Sequence, residues 1–149
     1  MARFHGHIRP LEPCDEVRWR ELFHGYTNFY KEVVPKEVED LSWRRLVTGQ
    51  DGMAGLVAVS AAGEVAGFAN VVFHRSTWSA GWYCYLEDLF VDPDRRESGC
   101  GRALIEAVYA LAEARGATRT YWATQEGNAT ARRLYDQIGE LTDFVQYRR

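Results

Sequence analysis

The chain has 149 residues, 46% of them hydrophobic and 26% charged, with a net charge of −3 and a pI near 5.8. This length and composition fit one domain around one core, and the acidic balance argues against nucleic acid as a partner. No run approaches the ~18 apolar residues of a membrane span, "MARFHGHIRPLEP" lacks the apolar stretch of a signal peptide, and three cysteines without CxxC spacing speak against a disulfide framework or a zinc site and for a reducing cytoplasm.

In chain order, "RFHGHIRP" predicts a short first strand stopped by Pro10. From about Pro13 the spacing turns helical, with Trp19, Leu22, Phe23 and Tyr26 on one face. A break near Val33-Val34-Pro35 precedes a second helix over about 35–47, with Pro35 at its first turn. "TGQDGMAG" predicts a loop, "LVAVS" a strand, "AAGE" a tight turn and "EVAGFANVVFHR" the returning strand of a hairpin. After the turn "STWSAGW", the aromatic and branched run "YCYLEDLFVD" predicts a strong strand ended by Pro93. "DRRESGCG" is then a turn, followed by a helix over about 101–115 with Leu104, Val108 and Leu111 on one face and Gly116 at its C-terminal end. "TRTYWATQ" predicts a strand, "NATARRLYDQIG" a short helix capped by Asn128 and closed at Gly139, and "DFVQYRR" a last strand. The order β-α-α-β-β-β-α-β-α-β predicts a mixed α/β sheet with helices packed on it.

The turn "RRESGCG" carries the chemistry. A helix N-terminus holds backbone N–H groups without partners and a partial positive charge, so it suits an anion. Gly99 and Gly101 let backbone approach a phosphate without a Cβ in the way, and Arg95, Arg96 and Arg102 add charge. A pyrophosphate site and a merely tight helix start explain the bare glycines equally well. "GCGRAL" does not complete the GxGxxG of a Rossmann unit, because residue 104 is Leu, and no P-loop sequence is present. Cys100, between the two glycines, is not taken as a nucleophile. His5, His7, His24 and His74 lack ligand spacing, so no metal site is expected.

Strand, turn and helix with "RRESGCGRAL" resemble motif A of the GNAT N-acetyltransferases, filled in order by Arg96, Glu97, Ser98, Gly99, Cys100 and Gly101. "NATARRLYDQIG" resembles that family's motif B, matched at Asn128, Ala131, Leu134, Tyr135 and Gly139. The resemblance is good over about residues 55–140, and "YLEDLFV" is most similar to the histone, polyamine and small-amine acetyltransferases. It implies a largely antiparallel sheet with a splayed parallel strand pair and flanking helices. It also implies acetyl-CoA as cosubstrate, with no metal. The pyrophosphate would sit on the amides from Arg96 to Gly101, beside Arg102, and the pantetheine arm would pair with Leu89, Phe90 and Val91. Asn128 would touch the cofactor or only cap its helix.

The reaction so implied is direct attack of an amine on the thioester. The amine must lose a proton, the oxyanion needs a donor such as the Leu89 N–H, and the leaving thiolate needs a proton. Tyr135 matches the family's acid, and a phenol holds its proton at neutral pH. Glu87 is the candidate base. Asp88, adjacent in a strand and so expected on the opposite face, would brace the strand or meet the acceptor.

Acceptor candidates are Tyr30 and Glu37, within an aromatic and acidic region that includes Tyr26, Phe29, Glu39, Asp40, Trp78, Trp82 and Tyr83. That combination suits a cationic amine of a polyamine, amino acid or lysine side chain, and it also suits an aromatic core with a solvated acidic helix. The family's final hairpin is replaced by "GELTDFVQYRR", which predicts pairing of this segment with another subunit and hence a homodimer or higher oligomer. A non-catalytic acyl-CoA sensor on the same fold is the alternative. An unrelated α/β domain with a structural glycine turn is the weaker one.

Overall fold

The computed structural model describes residues 3–96 and 98–149. Five strands form one sheet: β1 (His7–Pro10), β2 (Met53–Val59), β3 (Val65–His74), β4 (Trp82–Val91) and β5 (Ala117–Tyr121). Four α-helices accompany it: α1 (Glu16–Phe29), α2 (Lys36–Thr48), α3 (Cys100–Ala114) and α4 (Ala129–Ile138). Spatial order follows chain order, antiparallel from β1 to β4 and parallel between β4 and β5. The parallel pair is joined through α3, the crossover that parallel strands require.

Each sheet face buries its own apolar set. On one side α1 and α2 bring Trp19, Leu22, Phe23, Trp43 and Leu46 onto Val57, Phe68 and Phe90. Trp19 is fully buried and stacks on Phe23 at 4.8 Å between ring centroids. On the other side α3 brings Leu104, Ile105 and Val108 onto Leu56, Val71, Cys84 and Leu86, with Leu134, Tyr135 and Ile138 of α4 packed against the margin. The even-numbered residues of β4 illustrate a switch: Cys84 and Leu86 face α3, whereas Phe90 faces α1.

A β-bulge causes that switch. Val71 pairs with Leu86 but Asn70 pairs with Asp88, so Glu87 is the extra residue on β4. The two carboxylates therefore do not take opposite faces, as regular strand alternation predicts. Asp88 shares the α1 face with Asn70, which bonds it at 3.0 Å. Glu87 lies within electrostatic reach of Asp88, and of Tyr26, Tyr85 and Tyr121 on the same side.

β4 and β5 pair only from Trp82 to Tyr85 on β4. From Leu86 onward β4 has β3 alone as a neighbour, and the strands part. β5 ends at Tyr121, so Trp122 to Gln125 are not strand, and β2 starts three residues earlier than the predicted run at Leu56. The predicted last strand is also not formed. Residues 140–149 carry neither helix nor strand, and Phe144 and Tyr147 are 88% and 89% exposed. An alternating run becomes a strand only when an edge accepts it, and this one pairs with none among the described residues.

Candidate active site

The turn after β4 is built by local bonds. Asp92 accepts from the Asp94 N–H at 2.9 Å and from Arg18 of α1 at 2.5 Å. Arg18 also donates to the Val65 carbonyl at 3.0 Å, which ties α1, β3 and the turn together. Gly99 has φ of 79°, a conformation that strains any residue with a Cβ, and α3 begins at the next residue. The first turn of α3 thus opens its unpaired N–H groups onto a cleft of about 540 Å³.

This cleft gathers most of the cofactor residues predicted from sequence. Leu89, Phe90 and Val91 of β4 form one wall, Arg95, Arg96 and Gly99 to Arg102 the cationic end, and Asn128 and Tyr135, the cap and a residue of α4, the other wall. The Arg96 guanidinium lies 5.5 Å from the Phe90 ring centroid and donates to the Val91 carbonyl. Arg102 donates to Gln137. Ser98 gives its hydroxyl proton to the Arg95 carbonyl at 2.6 Å and so tightens the turn. Glu97 lies outside the described residues. Cys100 is buried, and burial pushes its thiol up to about 11, which leaves it protonated and inert.

Asn128 caps α4, accepting from the Ala131 N–H at 3.3 Å and donating to the Thr124 hydroxyl at 3.3 Å. Tyr135, on the helix so capped, lines the cleft. Tyr135 meets Trp122 edge-on at 5.5 Å. Burial first, and Tyr30 second, push its hydroxyl up to about 12, so it holds its proton at neutral pH. Gly139 lets α4 close down, since a Cβ there would fall 2.8 Å from the Trp122 ring.

Tyr26 and Phe29, expected only near the acceptor, line this cleft beside Tyr30. They come from the last turns of α1. The Tyr26 hydroxyl bonds Asp88, and burial first and then the Asp88 charge hold its proton firmly. Asp88 thus accepts from both Tyr26 and Asn70, and Asn70 accepts in turn from the Trp19 indole at 3.3 Å. Burial raises Asp88 despite these two donors. Glu87 is raised by partial burial and then by the Asp88 charge beside it. A carboxylate raised in this way accepts a proton more readily than a free one.

The acidic helix face is otherwise engaged. Glu39 accepts from Arg20 at 2.6 Å and meets His24 at 2.5 Å, while Asp40 pairs with Arg20 and Lys36. The Arg20 and His24 pairs clamp α1 to α2. Glu37 is exposed on α2 and lines no part of the cleft. Trp78 is exposed in the β3–β4 turn, and Trp82 packs against the α3 core.

Among the described residues no cluster of His, Cys, Asp or Glu could hold a metal, and no helix is long and apolar enough to cross a membrane. A glycine-led helix start among arginines, a strand freed along one edge and a cleft between them make the candidate cofactor site of this α/β protein. The profile of the Acetyltransferase (GNAT) family matches residues 19–139. The D-amino-acid N-acetyltransferase HPA3 of Saccharomyces cerevisiae is 34% identical over 143 residues, covering 95% of this chain and 89% of its own. A thialysine N-epsilon-acetyltransferase of Caenorhabditis elegans is 36% identical over 75 residues, half of this chain and 46% of that one. The fold is shared with AAC(6')-Iy in complex with a bisubstrate analogue, at a TM-score of 0.83, 21% identity and 97% coverage of both chains. The chain belongs to the GNAT acetyltransferase family. It is an acetyl-CoA-dependent acetyltransferase that transfers acetyl to an amine.

Proposed function

We propose that this enzyme acetylates the primary amine of a free amino acid, with Glu87 as base and Tyr135 as acid. The observation that carries the reading is the bulge at Glu87, which sets two carboxylates on one aromatic-lined face where the parallel strands part. An ammonium is drawn to that pair, and Glu87, raised by its surroundings, takes the proton directly or through one water. The free amine then attacks the thioester carbonyl beside Leu89, whose N–H is the donor assigned to the oxyanion. Tyr135 gives its proton to the departing thiolate.

On the cofactor side, the amides at the start of α3 and the side chains of Arg95, Arg96 and Arg102 hold the pyrophosphate. Leu89, Phe90 and Val91 pair with the pantetheine arm along the free edge of β4. Asp88 serves as a brace between α1 and the bulge, and Tyr30 borders the reacting end of the cleft. Two relatives named for amino-acid acceptors support the choice of an amino acid over a polyamine. The alternating tail at 143–149 and the unpaired side of β5 support a homodimer completed by this segment. A reducing, cytoplasmic setting belongs to the same reading, on the odd number of cysteines.

The test is thiol release from acetyl-CoA with a panel of D- and L-amino acids, lysine and diamines, run beside acetyl-CoA binding by calorimetry. Amino-acid turnover that falls in Glu87→Gln is the expected result. Tight cofactor binding without turnover of any amino acid would overturn the acceptor assignment. Light scattering at micromolar concentration is expected to give the mass of two chains, and a monomer mass would remove the dimer.

A further inference from the structure

The sheet face that presents Glu87 continues beyond the cover of α1 and α2. Strand register brings His74 opposite Tyr83, Tyr85 opposite Tyr121, and Tyr83 opposite Arg119. None of these belongs to the core beneath α1 and α2. The Tyr121 ring lies 4.8 Å from Tyr85 and 6.2 Å from Tyr83, and its hydroxyl meets His74 Nε2 at 2.5 Å. These rings make a connected floor. Glu87 and Asp88 stand at one end of it. At the other, the Arg119 guanidinium rests 4.5 Å above the centroid of Tyr83.

Arg119 is exposed and makes no ion pair among the described residues. This sets it apart from Arg9, Arg18 and Arg20, each spent on carboxylates that hold the fold together. Its charge reaches the floor, since it is felt at the Tyr121 hydroxyl. The face is therefore negative where the amine reacts and positive farther along. A polyamine would meet repulsion at its distal end. A chain with an amine at one end and a carboxylate at the other finds a partner for each, and its methylenes rest on the half-exposed Tyr85 and Tyr121 rings.

From these observations we propose that Arg119 anchors the carboxylate of an acceptor whose side-chain amine reacts at Glu87, as in lysine. This inference rests on the assignment of Glu87 to the reacting amine. Tyr83 and Glu87 are four residues apart, roughly 13 Å along an extended strand. Six bonds separate the side-chain nitrogen of lysine from its carboxyl carbon, a span of roughly 7–8 Å. The Glu87 and Arg119 side chains reaching toward each other close the difference. An α-amine sits next to its own carboxylate and cannot bridge the two ends.

The experiment compares lysine with 1,5-diaminopentane, which is lysine without its carboxylate. Wild-type enzyme is expected to favour lysine by about tenfold in kcat/KM, the value of one charge-assisted pair at a half-open site. Arg119→Gln is expected to bring the ratio close to one, and Arg119→Lys to restore part of it. Mass-spectrometric fragmentation of the product should place the acetyl group on the side-chain nitrogen. A wild-type preference for the diamine, a ratio unmoved by Arg119→Gln, or acetylation at the α-nitrogen would overturn the proposal while leaving an amino-acid acetyltransferase standing. Turnover of neither amine, with acetyl-CoA binding intact and another amino acid of the panel turned over, would overturn this anchor alone, whereas turnover of no amino acid would overturn the amino-acid assignment with it.

Discussion

The two sides of the β4–β5 gap are built on different principles. The side proposed for the cofactor is local: a left-handed glycine, a helix start and a capped helix, all within about residues 91–139. Its chemistry is mostly backbone N–H and carbonyl geometry. The side proposed for the acceptor is assembled from three strands and a helix, and its groups lie far apart in sequence, from Tyr26 to Asn70, Asp88 and Arg119. Backbone sites tolerate side-chain drift, so one cofactor can be held through much sequence change. Side-chain sites do not, so the acceptor is free to differ between relatives that share the fold.

The sharpest way to test this division is to remove a proton carrier without disturbing either frame. Tyr135→Phe keeps the ring against Trp122 and loses only the hydroxyl. Single-turnover and steady-state kinetics should show kcat reduced by about 10²–10⁴-fold, the usual worth of a positioned acid. A normal kcat would take Tyr135 out of the chemistry while leaving the cofactor site untouched. Glu87→Gln comes next, with an expected loss of about 10²-fold at neutral pH. Its diagnostic is recovery as pH rises, because a substrate amine titrating near 10 then deprotonates without help. A loss that is the same at every pH would make Glu87 a binding group and not a base.

The same contrast explains what could be read in the amino-acid sequence. Gly99 must accept a positive φ, Asn128 must cap a helix and Arg95 to Arg102 must follow a strand, and each demand is met by neighbours in the chain. Those features are legible because their causes are local. Glu87 and Asp88 are visible as candidates, but their shared face is not, since alternation assumes a regular ladder and the bulge is a property of the β3–β4 register. Glu39 and Asp40 look available for an amine until α1 packs on α2 and Arg20 meets both. The alternation at 143–149 is real, yet a strand needs an edge, and the chain's own sheet does not pair with it. Arg119 gives no local signal at all, because only the parallel pairing of β4 and β5 sets it over Tyr83.

Asp88→Asn probes the acceptor side more gently. Glu87 faces Asp88 on β4, with Tyr26, Tyr85 and Tyr121 as neutral phenols around it. With Glu87 as the proposed base, kcat/KM is expected to fall as pH drops through its pKa, which lies above the ordinary carboxylate value. Part of that rise comes from the negative charge of Asp88. Removing the charge lowers the pKa of Glu87 and moves the acid limb of the pH–rate profile to lower pH. A limb that stays in place would mean that the two carboxylates, though side by side, do not sense each other.

The smallest effect is expected back on the cofactor side, at Asn128. Both ends of its amide are already committed, the oxygen to the Ala131 N–H and the nitrogen to the Thr124 hydroxyl. Asn128→Ala should therefore act first as a lost cap, costing about 1 kcal/mol, or roughly 2–4 °C in Tm for a chain of this size. Because the same helix carries Tyr135, fraying of its first turn should lower kcat a few-fold along with Tm. The informative alternative is an unchanged Tm with a raised KM for acetyl-CoA. That outcome would mean the amide leaves its cap to bind the cofactor, and that even the local side of the site depends on a side chain.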